Sequence, residues 1–460
     1  MIDTKALRSR VLDLAIRGKL TEQLPSDGTA EELYQQIQAE KQRFISNIKS
    51  EDIPFDIPSN WKWVRLGEIV SILGGKRIPA GRSLTTDNTG HKYIRVSDMK
   101  NMSVETSNLL YVPEDIYPKI SRYIINKEDV YITVAGTIGR VGTIPDEIDG
   151  ANLTENADRL VFTSLDRNWL VFTLSADTVQ KQISYLTTQV AQPKLAIKKI
   201  QEFILPLPPL AEQKRIVERV EEIFRLLDAI DEAQEKYSAD AESLKAKLIT
   251  AGIQGKLTEQ LDSDGAAEEL YQQIQAEKQK LIKEGKIKKE KPLPAIKDEE
   301  IPFEIPGNWK WVRFGDLMWN RDSERIPVSV ADRRKLKKIY DYYGASGVID
   351  KVETYLFDEK LLLIGEDGAN LLSRSTPIAF LAEGKYWVNN HAHVLGFYVA
   401  DYLDFVMHYI NSISLVPYVT GSAQPKLNQD NMNKIPVPLP PLAEQKRIAE
   451  VLERVLGELG

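Results

Sequence analysis

The eleven residues PLPPLAEQKRI occupy Pro206–Ile216 and return unchanged at Pro438–Ile448, 232 residues later. The identity is part of something larger. LRSRVLDLAIRGKLTEQLPSDGTAEELYQQIQAEKQRFI, from Leu7, returns from Leu244 as LKAKLITAGIQGKLTEQLDSDGAAEELYQQIQAEKQKLI. IPFDIPSNWKWVRLGEI, from Ile53, returns from Ile301 as IPFEIPGNWKWVRFGDL, and AQPKL at Ala191 returns at Ala423. The chain is therefore two copies of one unit, each far longer than a solenoid repeat. Between these shared stretches, residues 65–190 and 315–420 have little in common. A retained frame with diverged interiors reads as a scaffold presenting two different heads.

The frame reads as helical. Ile216, Ile223, Ile230, Tyr237 and Leu244 fill one heptad position, and Val220, Leu227, Ala241 and Leu248 the other. This spacing predicts a coiled-coil seam along one long helix. Gln234 is the polar intruder, which either fixes register or marks a local break in the pattern. Prolines 208 and 209 suit the helix start, and Gly252 and Gly255 its end. The second copy of this helix, from Pro438, stops halfway, and its missing half matches the N-terminal segment from Leu7. The repeat is circular. It predicts that the first and last helices together complete a rod antiparallel to the central one, in a pseudo-two-fold arrangement.

Composition sets further limits. The 460 residues allow two to four domains. There is no cysteine, so disulfides and thiolate metal sites are excluded, which fits a reducing cytoplasm. No apolar run is long enough to span a bilayer, and the N-terminus lacks the central apolar block of a signal peptide. The expected location is cytoplasmic. The formal net charge of −7 disfavours a uniformly basic nucleic-acid binder, so its distribution matters. Both heads are close to neutral, and the acidity belongs to the frame.

Each head reads as α+β. In the first, YIRVSD from Tyr93 and DVYITVAGTIGRVGTI from Asp129 read as strands, and NWLVFTLSADTVQKQISYL from Asn168 as one or two helices. In the second, YDYYGASGVID, KLLLIGEDGAN and KYWVNNHAHVLGFYV read as strands, and YLDFVMHYINSI from Tyr402 as a helix. LTENADRLVF from Leu153 aligns with VNNHAHVLGF from Val388. The loop GGKRIPAGRSLTT, from Gly74, carries cations and hydroxyls able to reach phosphates and base edges. ADRRKLKK, from Ala331, has the same character. Both could equally be solvated charged loops. Lys194 and Lys426, in the repeated AQPKL, read more simply as part of a hinge between head and helix.

Catalytic signatures are lacking. There is no G-x-x-x-x-G-K-[ST] loop and no strand–GxGxxG–helix unit. No Asn-Pro-Pro-aromatic tetrapeptide of an amino-methyltransferase and no nuclease carboxylate set stands out. Four histidines leave little material for a Ser–His–Asp triad. His391 and His393 would share one face of a strand, but no third ligand cluster accompanies them. The chain reads as one that binds and does no chemistry.

The doubled PLPPLAEQKRI and GKLTEQ, the paired IPSNWKWV and IPGNWKWV, the AQPKL exits, AGTIGRVG, YYGASG, GEDGAN and NNHAHVLGF occur in order over essentially the whole length. In this the chain resembles the specificity subunits of type I restriction-modification systems. The resemblance implies two target-recognition domains, each a small twisted sheet with helices, separated by a long antiparallel coiled-coil spacer. The corresponding segments are an N-terminal helical region 1–52, a first recognition domain 53–205, a central spacer 206–300, a second recognition domain 301–437 and a C-terminal helical region 438–460. It further implies that each domain reads one half of a bipartite, asymmetric double-stranded DNA site. The helices would set the spacing and dock two methyltransferase (modification) subunits, with Tyr34 and Tyr271 either on that docking surface or anchoring their helix. Restriction (motor-nuclease) subunits complete the complex. No cofactor is expected in this chain; S-adenosylmethionine and ATP with Mg are expected on the partners. The candidate DNA contacts are Lys76, Arg77, Arg82 and Arg95 in the first head and Arg333, Arg334, Arg374, Asn389 and His391 in the second. No catalytic, cofactor or metal residue is assigned. A coiled-coil adaptor that binds proteins, or a self-contained modification enzyme, are the competing readings.

Overall fold

The computed structural model describes residues 1–40, 48–187, 194–399, 403–421 and 424–459. The hinge reading of AQPKL falls partly on Ala191–Pro193 and Ala423, and the helix expected from Tyr402 begins on that residue; these positions lie outside the described ones. The chain divides into two compact units, Met1–Glu235 and Lys236–Gly460.

In the first unit, helix α1 (Thr4–Ile16) starts at Asp3, whose carboxylate accepts the Ala6 N–H at 2.9 Å. Helix α2 (Ala30–Glu40) follows, then the head with α3 (Arg167–Ser175) and α4 (Asp177–Thr187). The 44-residue helix α5 (Leu210–Ile253) begins in this unit and ends in the second. The second unit adds α6 (Ala267–Lys283), α7 (Leu403–Ser412) and α8 (Leu442–Glu458).

Each head contains two four-stranded sheets where one was expected. In the first head one sheet has the order Ser71–Gly74, Ala157–Val161, Val130–Thr133, Val141–Thr143. The other runs Leu110–Tyr111, Lys92–Ile94, Ala151–Leu153, Ile124–Ile125. The second head repeats both orders, as Met318–Asn320, Ala392–Phe397, Leu361–Gly365, Ala379–Ala382 and as Gly347–Val352, Tyr340–Gly344, Lys385–Val388, Phe357–Asp358. In each the single parallel contact falls at the same place, Tyr93↔Asn152 and Tyr342↔Trp387. Two interiors with little common sequence thus share one topology.

The shared sequence closes each head at its base. Lys62–Arg65 pairs antiparallel with Ile204–Leu207, and Lys310–Arg313 with Pro436–Leu439. The NWKWVR entry and the PLP exit are therefore two strands of one ribbon. Helix α5 starts immediately after that ribbon, and its first turn carries a lock. Glu212, with no exposure, accepts the Trp61 indole N–H at 2.7 Å, the Gln23 amide at 2.9 Å and the Thr21 hydroxyl at 3.1 Å. Glu444 does the same at the start of α8, with Trp309 at 2.7 Å, Thr258 at 3.2 Å and Gln260. Gln213 and Gln445 donate back to Pro208 and Pro440 carbonyls. Arg215 clasps Asp27, and Arg447 clasps Asp264, each through two bonds. These guanidinium bonds hold the Asp27 and Asp264 carboxyls below their ordinary range. Gly18, at φ 64°, turns the chain out of α1 against Pro58, where a Cβ would collide with the proline ring; Gly255 does so against Pro306.

The predicted seam forms in part. Ile216, Val220, Leu227 and Ala241 are buried, whereas Tyr237 and Leu244 are 62% and 44% exposed. Helices α1 and α5 run antiparallel: Arg8 meets Asp228 at 2.8 Å and Asp231 at 3.1 Å, and Thr4 donates to Asp231 at 2.5 Å. Gln234 is no break. Its side-chain amide accepts from the Ile2 N–H and donates to the Ile2 carbonyl at 3.2 Å, which fixes where α1 begins along α5. In the second unit α8 also runs antiparallel to the end of α5, with Glu444 beside Thr258 and with Ile448 and Leu452 over Gly252. One core joins Leu12 and Ile16 of α1, Leu33 of α2, Trp169 of α3 and Val220 of α5. Tyr34 and Tyr271 pack partly buried on these unit cores under Lys62 and Lys310, so they anchor α2 and α6.

Replacing Glu212 by alanine would leave the buried Trp61 indole N–H without its acceptor and take one acceptor from Thr21 and Gln23. The expected loss is about 2–4 kcal/mol of unfolding free energy in the first unit, read as a lower urea midpoint. An unchanged midpoint would show that the lock holds nothing.

Candidate nucleic-acid interface

The first head presents the loop after Ser71–Gly74. Gly75 lies so close to the Thr154 carbonyl that a Cβ would collide with it. Gly75 N–H donates to Ala157 at 3.1 Å and Lys76 N–H to Leu153 at 2.8 Å. Ile78 and Leu84 then pack on a small core of Tyr93, Val112, Ile116 and Ile120. The loop is thus a built feature. Within it Arg77, 72% exposed, pairs with Glu155 at 2.5 Å, and Arg82 pairs with Asp115. Burial pushes the Glu155 carboxyl up, but its hydrogen bonds, with Arg77 first, hold it below its ordinary value. Arg95 folds back in a fork onto Asp98, at 2.6 and 3.0 Å, and donates to the Asn108 carbonyl. Lys76 points its ammonium toward the Tyr123 ring, 5.7 Å from the centroid.

The second head treats its candidates differently. Arg333 is only 11% exposed; it binds Asp350 at 2.9 Å and the Val328 carbonyl at 2.7 Å, and lies over Tyr342. Asp350 also takes Lys338 at 2.7 Å, the largest reason its carboxyl sits far below the ordinary range. Arg334, next door, is exposed and has no carboxylate partner among the described residues. Arg374 adopts φ 52° and donates to the Ile410 and Ile413 carbonyls at 2.7 and 2.6 Å, closing the C-terminal end of α7. Burial lowers its pKa. Asn389, 5% exposed, accepts the His391 N–H at 2.8 Å and shapes a turn. Four of the nine candidates, Arg95, Arg333, Arg374 and Asn389, therefore have internal tasks, because backbone carbonyls, a carboxylate or a turn already claim their polar atoms.

His391 and His393 do not share a strand face. His391 lies in the turn before Ala392–Phe397, half exposed, with Nδ1 2.9 Å from Asp367. His393 is inside that strand, 2% exposed, with Nδ1 2.6 Å from Asp322 and Nε2 2.8 Å from the Leu427 carbonyl. Both ring nitrogens thus face acceptors. Asp322, Glu366 and His393 bring one ligand atom each within 4.8 Å of one another. Their carboxylates are already met by Arg325, at 2.8 Å from Glu366 and 3.4 Å from Asp322, and by Lys426 at 3.0 Å from Glu366. That is the composition of a closed ion-pair network. The sequence reading missed it, since RDSER and GEDGAN show charge but not that both close on one histidine.

The aligned position in the first head is Asp158, which pairs across the sheet with Gly74. Here the acid lies on the other strand and faces a residue without a side chain. Burial pushes the Asp158 carboxyl up to about 6, only partly countered by the Lys194 charge.

Two four-stranded sheets, a tied ribbon at the base and a cationic loop recur in each unit, which defines a duplicated recognition scaffold. The family model described as Type I restriction modification DNA specificity domain matches residues 58–237 and again 306–459. The chain belongs to that family. It is 25% identical over 543 residues to the type I restriction enzyme EcoEI specificity subunit of Escherichia coli, covering 98% of this chain and 88% of that one. It is 28% identical over 379 residues to the EcoAI specificity subunit of Escherichia coli, covering 68% and 62%. A structure described as the basis of complex assembly and conformational transition of the type I R-M system shares the fold, with TM-score 0.61, 16% identity and coverage of 88% and 92%. The HsdS subunit of Thermoanaerobacter tengcongensis follows, with TM-score 0.51, 17% identity and coverage of 88% and 91%. Specificity subunits are the non-catalytic members of such systems, and this chain is one of that kind. No helix among the described residues is long and apolar enough to cross a membrane.

A folded-state pKa raised above the unfolded value gives stability that is complete below about pH 4 and lost as pH rises through about 6. Asp158→Asn removes this loss. Its melting temperature should match the wild type near pH 4 and exceed it increasingly up to pH 7. Parallel melting curves across that range would contradict the burial argument.

Proposed function

We propose that this chain is the DNA-reading subunit of a type I restriction-modification complex, and that each head reads one half of a bipartite, asymmetric site. One observation carries this: two heads of identical strand order stand on an identical frame but present different cations. The first offers Lys76, Arg77 and Arg82 from one braced loop, with Arg95 drawn back onto Asp98. The second offers Arg334 and, in a turn shaped by Asn389, His391, while Arg333 and Arg374 are held within the fold. Phosphate contacts set register, and side chains at base edges give sequence preference. Unlike heads on like frames require unlike half-sites.

The helices set the spacing between half-sites and dock two modification subunits. Those partners bring S-adenosylmethionine and methylate an adenine in each half-site after flipping it from the duplex. Motor-nuclease subunits with ATP and Mg join for restriction. This chain holds no cofactor of its own in this scheme.

Mapping methylated adenines in cells that express the complete system should return a split motif. Exchanging residues 301–437 for those of another family member should change one half of the motif and leave the other. A motif that changes in both halves, or in neither, contradicts the assignment. A wild-type complex without salt-dependent DNA affinity would favour a protein-binding adaptor.

A further inference from the structure

The cations of the first head are not equivalent. Arg77 and Arg82 each have a carboxylate partner, and Arg95 lies in a fork on Asp98. Lys76 has none among the described residues, and neither does Arg122, a residue the sequence pattern did not single out. The fold brings these two together on one aromatic ring. The Arg122 guanidinium carbon lies 4.9 Å and the Lys76 ammonium 5.7 Å from the Tyr123 centroid.

The arrangement is braced from beneath. Asn152, 2% exposed, donates to the Ile120 carbonyl at 2.9 Å and the Tyr123 carbonyl at 3.4 Å. Leu153 donates its N–H to the same Tyr123 carbonyl at 2.9 Å and accepts the Lys76 N–H at 2.8 Å. Tyr93, itself buried, donates its hydroxyl to the Lys76 carbonyl at 3.0 Å. One strand thus fixes the backbone of both Lys76 and Tyr123. At the surface, Arg122 donates to the Tyr123 hydroxyl oxygen at 2.8 Å. The phenolic hydrogen then has no acceptor among the described residues.

Two like charges gathered on one ring repel each other. The ring face offsets part of that. The carboxylates of Glu155 and Asp115 are already held by Arg77 and Arg82. What remains is an ammonium, a guanidinium and a phenol O–H, all donors, with no anion supplied by the described residues. We propose that Lys76, Arg122 and Tyr123 form a clamp for a phosphodiester group of the DNA backbone. This deepens the proposed function and rests on it. The clamp sets the register of the first head on the duplex and is indifferent to base identity.

The test uses the chain assembled with its modification subunits, on a target duplex and an unrelated duplex, across a series of salt concentrations. Lys76→Gln and Arg122→Gln alter partly or fully exposed side chains and leave the backbone bonds in place. Each neutralised phosphate contributes about 0.9 to the slope of log affinity against log salt. The clamp neutralises one phosphate, so the double variant should lose about 0.9 from that slope, with an equal loss of affinity on both duplexes. Tyr123→Phe should weaken both duplexes while leaving most of the slope. Unchanged affinity and slope in the double variant, beside a wild type that binds, overturns the clamp alone. A loss confined to the target duplex, or a change in the methylated motif, assigns these residues to base edges and overturns it too. A wild-type complex with no DNA affinity overturns the proposed function, and the clamp with it.

Discussion

A fully buried carboxylate at a helix start holds each copy of this scaffold together. Glu212 and Glu444 gather an indole from one stretch of chain and an amide and a hydroxyl from another. A charge without water demands that each donor be in place. The helix N-terminus adds its own favourable field. The tryptophan comes from the strand that enters the head, and the helix follows the strand that leaves it. The lock therefore fixes the base of the head, the turn after Gly18 or Gly255 and the axis of the long helix at once.

This constraint explains why PLPPLAEQKRI and GKLTEQ are repeated letter for letter. Glutamate, glutamine, arginine and isoleucine in PLPPLAEQKRI each meet a fixed partner inside their own unit. GKLTEQ supplies the turn glycine, the threonine and the glutamine. IPSNW and IPGNW supply the proline that the glycine abuts and the tryptophan. Changing one letter strands the others, so the frame must be kept as a set. The heads are under no such rule. Their strands need only alternate and pair, so two nearly unrelated sequences reach one topology.

Within the heads, charge is settled differently on the two sides. The second head closes Asp322, Glu366, Arg325, Lys426 and His393 into one internal network. The first head leaves Asp158 opposite a glycine and gathers Lys76 and Arg122 on Tyr123. Like frames thus carry heads of unlike internal electrostatics.

The sequence by itself determined the duplication, its circular order, the long helix and the division into frame and heads. These follow from identity and periodicity, which are properties of the string. It also exposed the loop from Gly74, because glycine beside clustered cations is a local signal. Tertiary structure alone decided which cations remain available. Arg374 and Arg334 look alike as letters, yet one closes a helix end and the other faces water. Arg122 stood outside every pattern until the fold set it beside Lys76, far away in sequence. Helix and strand periods are written locally, but the neutralisation of a charge depends on which distant group the fold brings within a few ångströms.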